Sequence, residues 1–230
     1  MDVRHSCIVL AILARAPSAA GKTRLLDAMG PVNGAGLRRA LLQDTWDAAA
    51  RVHEVTAAVV YTPILTADEF RTLVPRPSVL VPQREGDLGR RLHGAFEDLQ
   101  HVAPAGVLVI GSDLPTVPVS YLQRAADLLR DDSHRVVLGP ASDGGYYLIG
   151  LGTPDRRLFE DVPWSTDQVF RATVDRAGAL GFDVTTLPEW YDIDTPEDLA
   201  RALGVQDDEE LGHVAAHTRA WAAETSRPSV

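Results

Sequence analysis

The chain has 230 residues and 45% apolar side chains, enough for the core of one α/β domain or two small ones. Its net charge of −10 argues against a nucleic-acid or membrane-surface partner, and no apolar run approaches the ~20 residues of a membrane span. The single cysteine, Cys7, cannot form an internal disulfide, which fits a reducing compartment such as the cytoplasm.

The first half of the chain alternates apolar runs with segments of helical periodicity. The run CIVLAILA (7–14) loosely imitates a secretory signal, but it is short for one, and we prefer a buried strand. Further strands and helices are predicted at the following positions: strands at 55–62, 78–83 and 106–113, and helices at 34–51, near 88–99 and from Pro118 to about Leu129.

The second half continues the alternation, and helix caps mark two of its elements. A capping box of Ser165 and Gln168 predicts the start of one helix, and Thr195 with Asp198 predicts the start of the last. Strands are predicted at residues 135–141, 146–151 and 182–187.

This alternation favours a mostly parallel sheet with helices on both faces, an α/β fold. We expect one domain over residues 1–204, and a helical appendage with a frayed end over residues 205–230.

The segment after the first strand is similar to a phosphate-binding loop. Residues Ala16 to Thr23 read A-x-x-x-x-G-K-T, one glycine short of the P-loop motif. The missing glycine, and Pro17 with no backbone N–H, both weaken a P-loop cradle. An ordinary strand–loop–helix turn therefore fits the segment better than a P-loop does.

Lys22 nevertheless indicates a function for this segment, because it is the only lysine beside 21 arginines. Its compact ammonium can sit between phosphate oxygens, where the planar arginine fork cannot substitute freely. Residues 1–51 hold seven basic and four acidic side chains in an otherwise acidic chain. Arg15, Lys22 and Arg24 are thus candidate phosphate-binding residues at the position where open α/β sheets bind ligands.

Two acidic segments are candidate metal sites. Asp113 ends the apolar run VLVIGSD and is either a turn residue or a carboxylate for a metal that bridges a diphosphate; we favour the metal. In YDIDTPEDL, helix capping leaves Asp192 and Asp194 unexplained, and their alternation around Ile193 places both carboxylates on one face. The segment therefore offers a second metal-ligating carboxylate.

Two glycine-containing turns complete the candidates. The SDGG turn (142–145) fits a hairpin, but its glycines also permit close approach of a ligand, so Asp143 is a turn residue, a base or a supporting group. Gly86, Asp87 and Arg90 lie at the start of an amphipathic helix, whose N-terminus can receive an anion.

Six segments in this order resemble a known family: R-x-P…G-K-T-R-L, GDLGRRL, IGSDLPTVP, VVLGPASDGGYYLIGL, VPWST and YDIDTPEDL. They are similar to the DUF2064 family of GT-A-type glycosyltransferases, the group associated with radical-SAM/selenium-domain or arsenosugar clusters. The resemblance runs from about Cys7 to Leu203. It implies a nucleotide-diphospho-sugar transferase fold, with a single Rossmann-like mixed sheet that binds a nucleotide and a divalent metal, Mg²⁺ or Mn²⁺.

The resemblance also implies roles for individual residues. Arg15, Lys22 and Arg24 match the phosphate-contacting loop after the first strand. Asp113 matches the metal-binding aspartate, and Asp194 matches a second acidic position shared with related nucleotidyltransferases.

The glycine turn matches the family as well, whereas the first loop departs from it. Asp143, Gly144 and Gly145 match the active-site turn. In the family, residues usually separate the glycine from the lysine, but here Gly21 directly precedes Lys22. This shortened spacing explains the P-loop-like string.

Four functions fit these residues. The preferred one is a metal-dependent glycosyltransferase, in which a metal at Asp113 and Asp194 and the cations Lys22 and Arg24 neutralise the departing nucleoside diphosphate, and Asp143 orients or deprotonates a small-molecule acceptor. The alternatives are a nucleotidyltransferase similar to phospholactate guanylyltransferases, a non-catalytic nucleotide-sugar-binding protein and a P-loop NTPase.

Replacement of Lys22 by arginine should weaken nucleotide-diphosphate binding although it conserves the charge. A charge-assisted contact contributes ~1.5–3 kcal/mol, so we expect affinity to fall by roughly ten- to a hundredfold. Titration calorimetry of both proteins at one metal and salt concentration measures the effect. Equal affinities would show that Lys22 does not contact phosphate.

Overall fold

The computed structural model describes residues 7–19, 25, 31–75, 79–205 and 215–225. Within these ranges the strands are β1 (Ile8–Arg15), β2 (Val55–Thr62), β3 (Val79–Pro82), β4 (Gly106–Gly111), β5 (Arg135–Pro140), β6 (Tyr146–Leu151) and β7 (Asp183–Thr186). The α-helices are α1 (Pro31–Ala50), α2 (Ala67–Leu73), α3 (Leu88–Gln100), α4 (Val119–Asp131), α5 (Val169–Ala179), α6 (Pro196–Gly204) and α7 (Ala216–Thr225). No helix in these ranges combines the length and apolar character needed to cross a membrane.

The strands form a seven-stranded sheet in the order β3-β2-β1-β4-β6-β5-β7. All neighbours in it are parallel except at β6, which pairs antiparallel with both β4 and β5. The chain builds outwards from β1 to β2 and β3, and then returns to place β4 on the other side of β1. This reversal creates a crevice at the carboxyl ends of β1 and β4, the usual ligand site of such sheets. The predicted α/β fold, with a mixed and mostly parallel sheet, is confirmed.

Both faces of the sheet are buried, and alternate residues of β1 point to opposite sides of it. Ile8, Leu10 and Ile12 belong to one core, whereas Val9 and Ala11 belong to the other. Helices α1, α2 and α4 supply side chains to the first core, and α3 and α5 pack on the second. Burial on both faces explains why β1 is a continuous apolar run rather than an alternating one.

One predicted helix start is wrong. Helix α5 begins at Val169, and its N-cap residue Gln168 makes no side-chain capping hydrogen bond. Ser165 lies ahead of the helix with a positive φ of 66° and does not form the predicted capping box. The backbone N–H of Phe170 in the first turn donates instead to the carbonyl of Gly144, 2.9 Å away. Tertiary contact thus replaces the local cap.

The capping box at the last predicted helix is confirmed. The Thr195 hydroxyl accepts a hydrogen bond from the Asp198 N–H, and the Asp198 carboxylate accepts one from the Thr195 N–H. Helix α2 was not expected from the sequence, because seven residues are too few to display helical periodicity.

Helix α7 packs against α1 through a buried carboxylate. Asp44 of α1 accepts hydrogen bonds from the N–H groups of His217 and Thr218, both at 2.9 Å, and from the Thr218 hydroxyl at 2.6 Å. Asp44 therefore caps the N-terminus of a helix that lies more than 170 positions later in the chain. The pKa of this carboxyl group is raised above its usual value, because the effect of burial exceeds the opposing effect of the hydrogen bonds.

Replacement of Asp44 by alanine should lower the free energy of unfolding by about 2 kcal/mol, because three donors, two of them buried, lose their acceptor. Asp47→Ala is the matched control, since Asp47 lies one turn further along α1 and contacts His217 from a partly exposed position. Chemical denaturation measures both variants. Equal destabilisation by the two substitutions would show that the buried carboxylate does not anchor α7.

Candidate active site at the carboxyl edge of the sheet

Three aspartates meet just beyond the central strand. Strand β4 ends at Gly111, and Asp113 follows two residues later. The carbonyl of Asp113 accepts a hydrogen bond from the N–H of Ile193, 3.0 Å away, which fixes the segment 191–194 beside it. Asp113, Asp192 and Asp194 each offer one carboxylate oxygen, and these oxygens all lie within 4.8 Å of one another.

The segment that carries Asp192 and Asp194 is held by backbone pairing and by its apolar residues. Its start pairs with the end of β5, where the N–H of Trp190 donates to the carbonyl of Pro140 at 3.0 Å. Tyr191 and Ile193 are buried, and the Tyr191 hydroxyl accepts a hydrogen bond from the Thr116 hydroxyl at 3.1 Å. The alternating aspartates consequently face the site while their neighbours face the core.

Burial and mutual repulsion both disfavour the ionised forms of these carboxyl groups. Burial, followed by the charges of Asp194 and Asp143, raises the pKa of Asp113 to about 6. Burial, followed by the charges of Asp113 and Asp194, raises the pKa of Asp192 to about 7. A divalent cation between the three oxygens would relieve the repulsion, and an all-carboxylate donor set suits Mg²⁺ or Mn²⁺. The residues thus fit such an ion.

The aspartates open into a cleft of about 370 Å³. The cleft extends from the end of β4 over the turn between β5 and β6 to the loop before α5. Its lining comprises Leu88, Gly111, Asp113, Leu114, Ala141, Asp143, Gly145, Tyr146, Tyr147, Trp164, Ser165, Thr166, Asp167, Val169 and Asp192.

The glycine turn forms one wall of the cleft. Asp143 is exposed, and its Oδ1 accepts a hydrogen bond from the N–H of Gly145 at 2.8 Å. Gly144 has a φ of +89°, and a Cβ there would lie 2.3 Å from the carbonyl oxygen of Asp167. Glycine is therefore required at residue 144, both for its backbone conformation and for contact with the loop before α5. This contact fixes Asp143 relative to the opposite wall.

Two arginines lie on the other side of the aspartates, towards β1 and β3. Arg15 is the last residue of β1. Arg91 of α3 donates to Gln83 just after β3, at 3.1 Å, and its pKa is lowered first by burial and then by the charge of Arg15. Two guanidinium groups that repel each other beside a crevice are suited to a polyanionic ligand. Sequence patterns select Arg90 and miss Arg91, because only the fold shows which of the two arginines faces Arg15.

The other predicted phosphate-binding residues are in different positions. Lys22 and Arg24 lie outside the described residues. Asp87 caps α3, since its side chain accepts a hydrogen bond from the N–H of Arg90, and Gly86 precedes it with a φ of +123°. Asp87 and Arg90 line a neighbouring cleft of about 880 Å³, which meets the first cleft at a residue common to both, Trp164.

Known proteins share this fold. The profile of the family described as "Uncharacterized protein conserved in bacteria (DUF2064)" matches residues 45–166. A protein of Desulfovibrio desulfuricans G20, provisionally assigned as a nucleotide-diphospho-sugar transferase, is similar with a TM-score of 0.81 and 27% identity over 96% of this chain and 95% of its own. A 4-diphosphocytidyl-2C-methyl-D-erythritol synthase of Anaerococcus prevotii has the same fold, with a TM-score of 0.54 and 15% identity over 85% and 94% of the two chains.

Sequence comparison also finds a relative of stated activity. The phosphoenolpyruvate guanylyltransferase of Mycobacterium marinum is 28% identical over 87% of this chain and 90% of its own. The similarity therefore spans nearly the whole of both proteins.

Asp192→Asn should stabilise the metal-free protein near neutral pH. The folded-state pKa of Asp192 is raised to about 7, above an unfolded value of ~3.9, so ionisation costs folding stability as pH rises through that range. The separation of these two pKa values corresponds to at most ~4 kcal/mol, so we expect the variant to gain a few kcal/mol at about pH 7.5 and no more than about 0.5 kcal/mol at about pH 4.

Urea denaturation at both pH values measures this gain. Asp131→Asn, which removes the same charge from an exposed site at the end of α4, is the control and should show no such pH dependence. An equal gain in the control, or a gain at the lower pH, would contradict the repulsion among the three aspartates.

Proposed function

Since the chain belongs to the DUF2064 family, we propose that it is a metal-dependent transferase of nucleotide-activated substrates, with a nucleotide-diphospho-sugar as donor. The observation that carries this proposal is the convergence of Asp113, Asp192 and Asp194 at the end of the central strand. The similarity to the D. desulfuricans protein, which covers almost the whole chain, supports the same donor class.

In the proposed function, the donor diphosphate lies at the boundary between the basic and the acidic groups. Arg15 and Arg91 lie on the β1 and β3 side, and the three aspartates lie at the end of β4. We propose that Lys22 and Arg24, which follow Arg15 in the sequence, also contact the phosphates. A divalent metal held by Asp113, Asp192 and Asp194 would supply positive charge that stabilises the departing diphosphate.

The transfer itself requires a base on the acceptor side of the aspartates. The acceptor hydroxyl oxygen forms a bond to C1 of the donor sugar, and the bond from C1 to the diphosphate oxygen breaks. The nucleoside diphosphate leaves with the electron pair, and the hydroxyl proton passes to Asp143. The N–H of Gly145 holds Oδ1 of Asp143 at 2.8 Å, which orients the carboxylate for this role.

Nucleotidyl transfer is a second candidate, favoured by the guanylyltransferase relative. In that reaction an acceptor phosphate oxygen forms a bond to the α-phosphorus of a nucleoside triphosphate, and pyrophosphate leaves. The same basic and acidic groups would serve it, because both reactions place a polyphosphate against a metal.

The leaving group distinguishes the candidate reactions. Purified protein with Mn²⁺ is incubated with a panel of nucleotide sugars and nucleoside triphosphates, together with mixed acceptors. We expect a nucleoside diphosphate from a nucleotide sugar, detected by chromatography. Release of pyrophosphate would replace the glycosyl proposal by the nucleotidyl one, and release of orthophosphate would contradict both.

Asp113→Asn should reduce the Mn²⁺-dependent affinity for nucleoside diphosphates by at least ~tenfold, because the amide lacks the charge that the metal requires. Calorimetry with and without Mn²⁺ measures the change, and circular dichroism checks the fold. Asp131→Asn serves again as the charge-matched control. If both variants bind with the parent's affinity in Mn²⁺, Asp113 has only a structural role.

A further inference from the structure

The sign of charge reverses along the carboxyl edge of the sheet. Arginines lie at the ends of β1 and near β3, whereas the cleft beyond β4 is lined by Asp113, Asp143, Asp167 and Asp192. Among the described lining residues of this cleft there is no lysine, arginine or histidine. An anionic ligand would find no cationic side chain there.

Besides aliphatic side chains and glycines, the lining includes aromatic rings and hydroxyl groups. The indole of Trp164 packs on Gly89 at the start of α3, where a Cβ would lie 3.0 Å from Nε1. Gly89 thus allows the indole to approach the helix closely. Ser165 and Thr166 add hydroxyl groups next to it.

These groups match ligands that donate hydrogen bonds. Carboxylates accept hydrogen bonds and donate none when ionised, so they pair with hydroxyl or ammonium groups. An aromatic ring can cover the apolar C–H face of a sugar ring, while the hydroxyl groups at the edge of the sugar stay in contact with water. A phosphate or carboxylate group on the ligand would be a hydrogen-bond acceptor with the same negative charge as the aspartates of the cleft. Placing like charges next to each other suppresses binding.

We propose that this cleft is the acceptor subsite and that it selects an uncharged or cationic polyhydroxy compound, such as a sugar or amino sugar, over a phosphorylated or carboxylated one. The assignment of this cleft to the acceptor rests on the proposed function, in which the donor phosphates occupy the basic side of the crevice.

A bound metal does not reverse this selectivity. A divalent ion held by Asp113, Asp192 and Asp194 would compensate two of their three negative charges, and the donor diphosphate would add negative charge beside it. Asp143 and Asp167, on the walls of the cleft, remain uncompensated. The subsite therefore disfavours phosphoenolpyruvate, which carries a phosphate and a carboxylate. In this respect it differs from the acceptor site of the relative, which is named as a phosphoenolpyruvate guanylyltransferase.

Four probes that differ in charge test this selectivity: methyl glucoside, glucosamine, glucose 6-phosphate and phosphoenolpyruvate. Saturation-transfer NMR measures their binding to the full chain with Mn²⁺ and a saturating nucleoside diphosphate, so that the basic side of the crevice is not open to the anionic probes. We expect the neutral and cationic probes to bind at least about tenfold more tightly than the two anions. Tighter or equal binding of an anion, or no binding of any probe at millimolar concentration, would overturn the inference.

Reversing the charge of one aspartate in the cleft, with a matched reversal outside it, distinguishes an effect on selectivity from an effect on folding. Asp167→Lys, in the exposed loop of the cleft, should shift the preference towards glucose 6-phosphate, whereas Asp175→Lys on the exposed face of α5 should not. An unchanged preference in Asp167→Lys would also overturn the inference. Failure of the proposed function has a different signature, since the protein would then bind no nucleoside diphosphate with Mn²⁺ while the preference among the sugar probes persists.

Discussion

One backbone hydrogen bond, from the N–H of Ile193 to the carbonyl of Asp113, joins two segments that lie eighty positions apart. It places the aspartates that flank Ile193 against the aspartate that follows the central strand. The carboxylates themselves repel one another, so their approach depends on this backbone hydrogen bond and on apolar packing. The candidate site is therefore a consequence of how the last part of the chain docks onto the sheet.

That docking is stabilised by a separate apolar cluster below the site. Tyr191 and Ile193 pack there with Leu37 and Leu41 of α1, and Trp221 of α7 packs against the same cluster. Leu25, close in sequence to Lys22, is also a member. The cluster thus connects the acidic segment, the helix after the first loop and the last helix. Burial of these side chains offsets the electrostatic cost of bringing three aspartates together.

The sequence predicted features that depend on local patterns and missed those that depend on distant contacts. Continuous apolar runs and the cap formed by Thr195 and Asp198 are local, and the structure confirms the strands and this cap. The start of α5 depends on a hydrogen bond to Gly144, which no local pattern reveals, so the apparent cap at Ser165 was misleading. Arg91 becomes a candidate site residue only because the fold places it near Arg15, which the sequence does not show.

The division of charge along the sheet edge explains how one fold can serve two kinds of transfer. Basic groups near β1 and carboxylates after β4 suit any substrate that carries a polyphosphate, whichever of its bonds is broken. The two candidate reactions differ in the nucleophile as well as in the bond that breaks, and in the proposed function the nucleophile approaches from the side of the glycine turn and Trp164. On that side the described chain presents carboxylates, hydroxyl groups and aromatic rings. In the proposed function, specificity is thus separated from activation in space, because substitutions in the turn between β5 and β6 or in the loop before α5 would change the acceptor without altering the groups proposed to hold the phosphates.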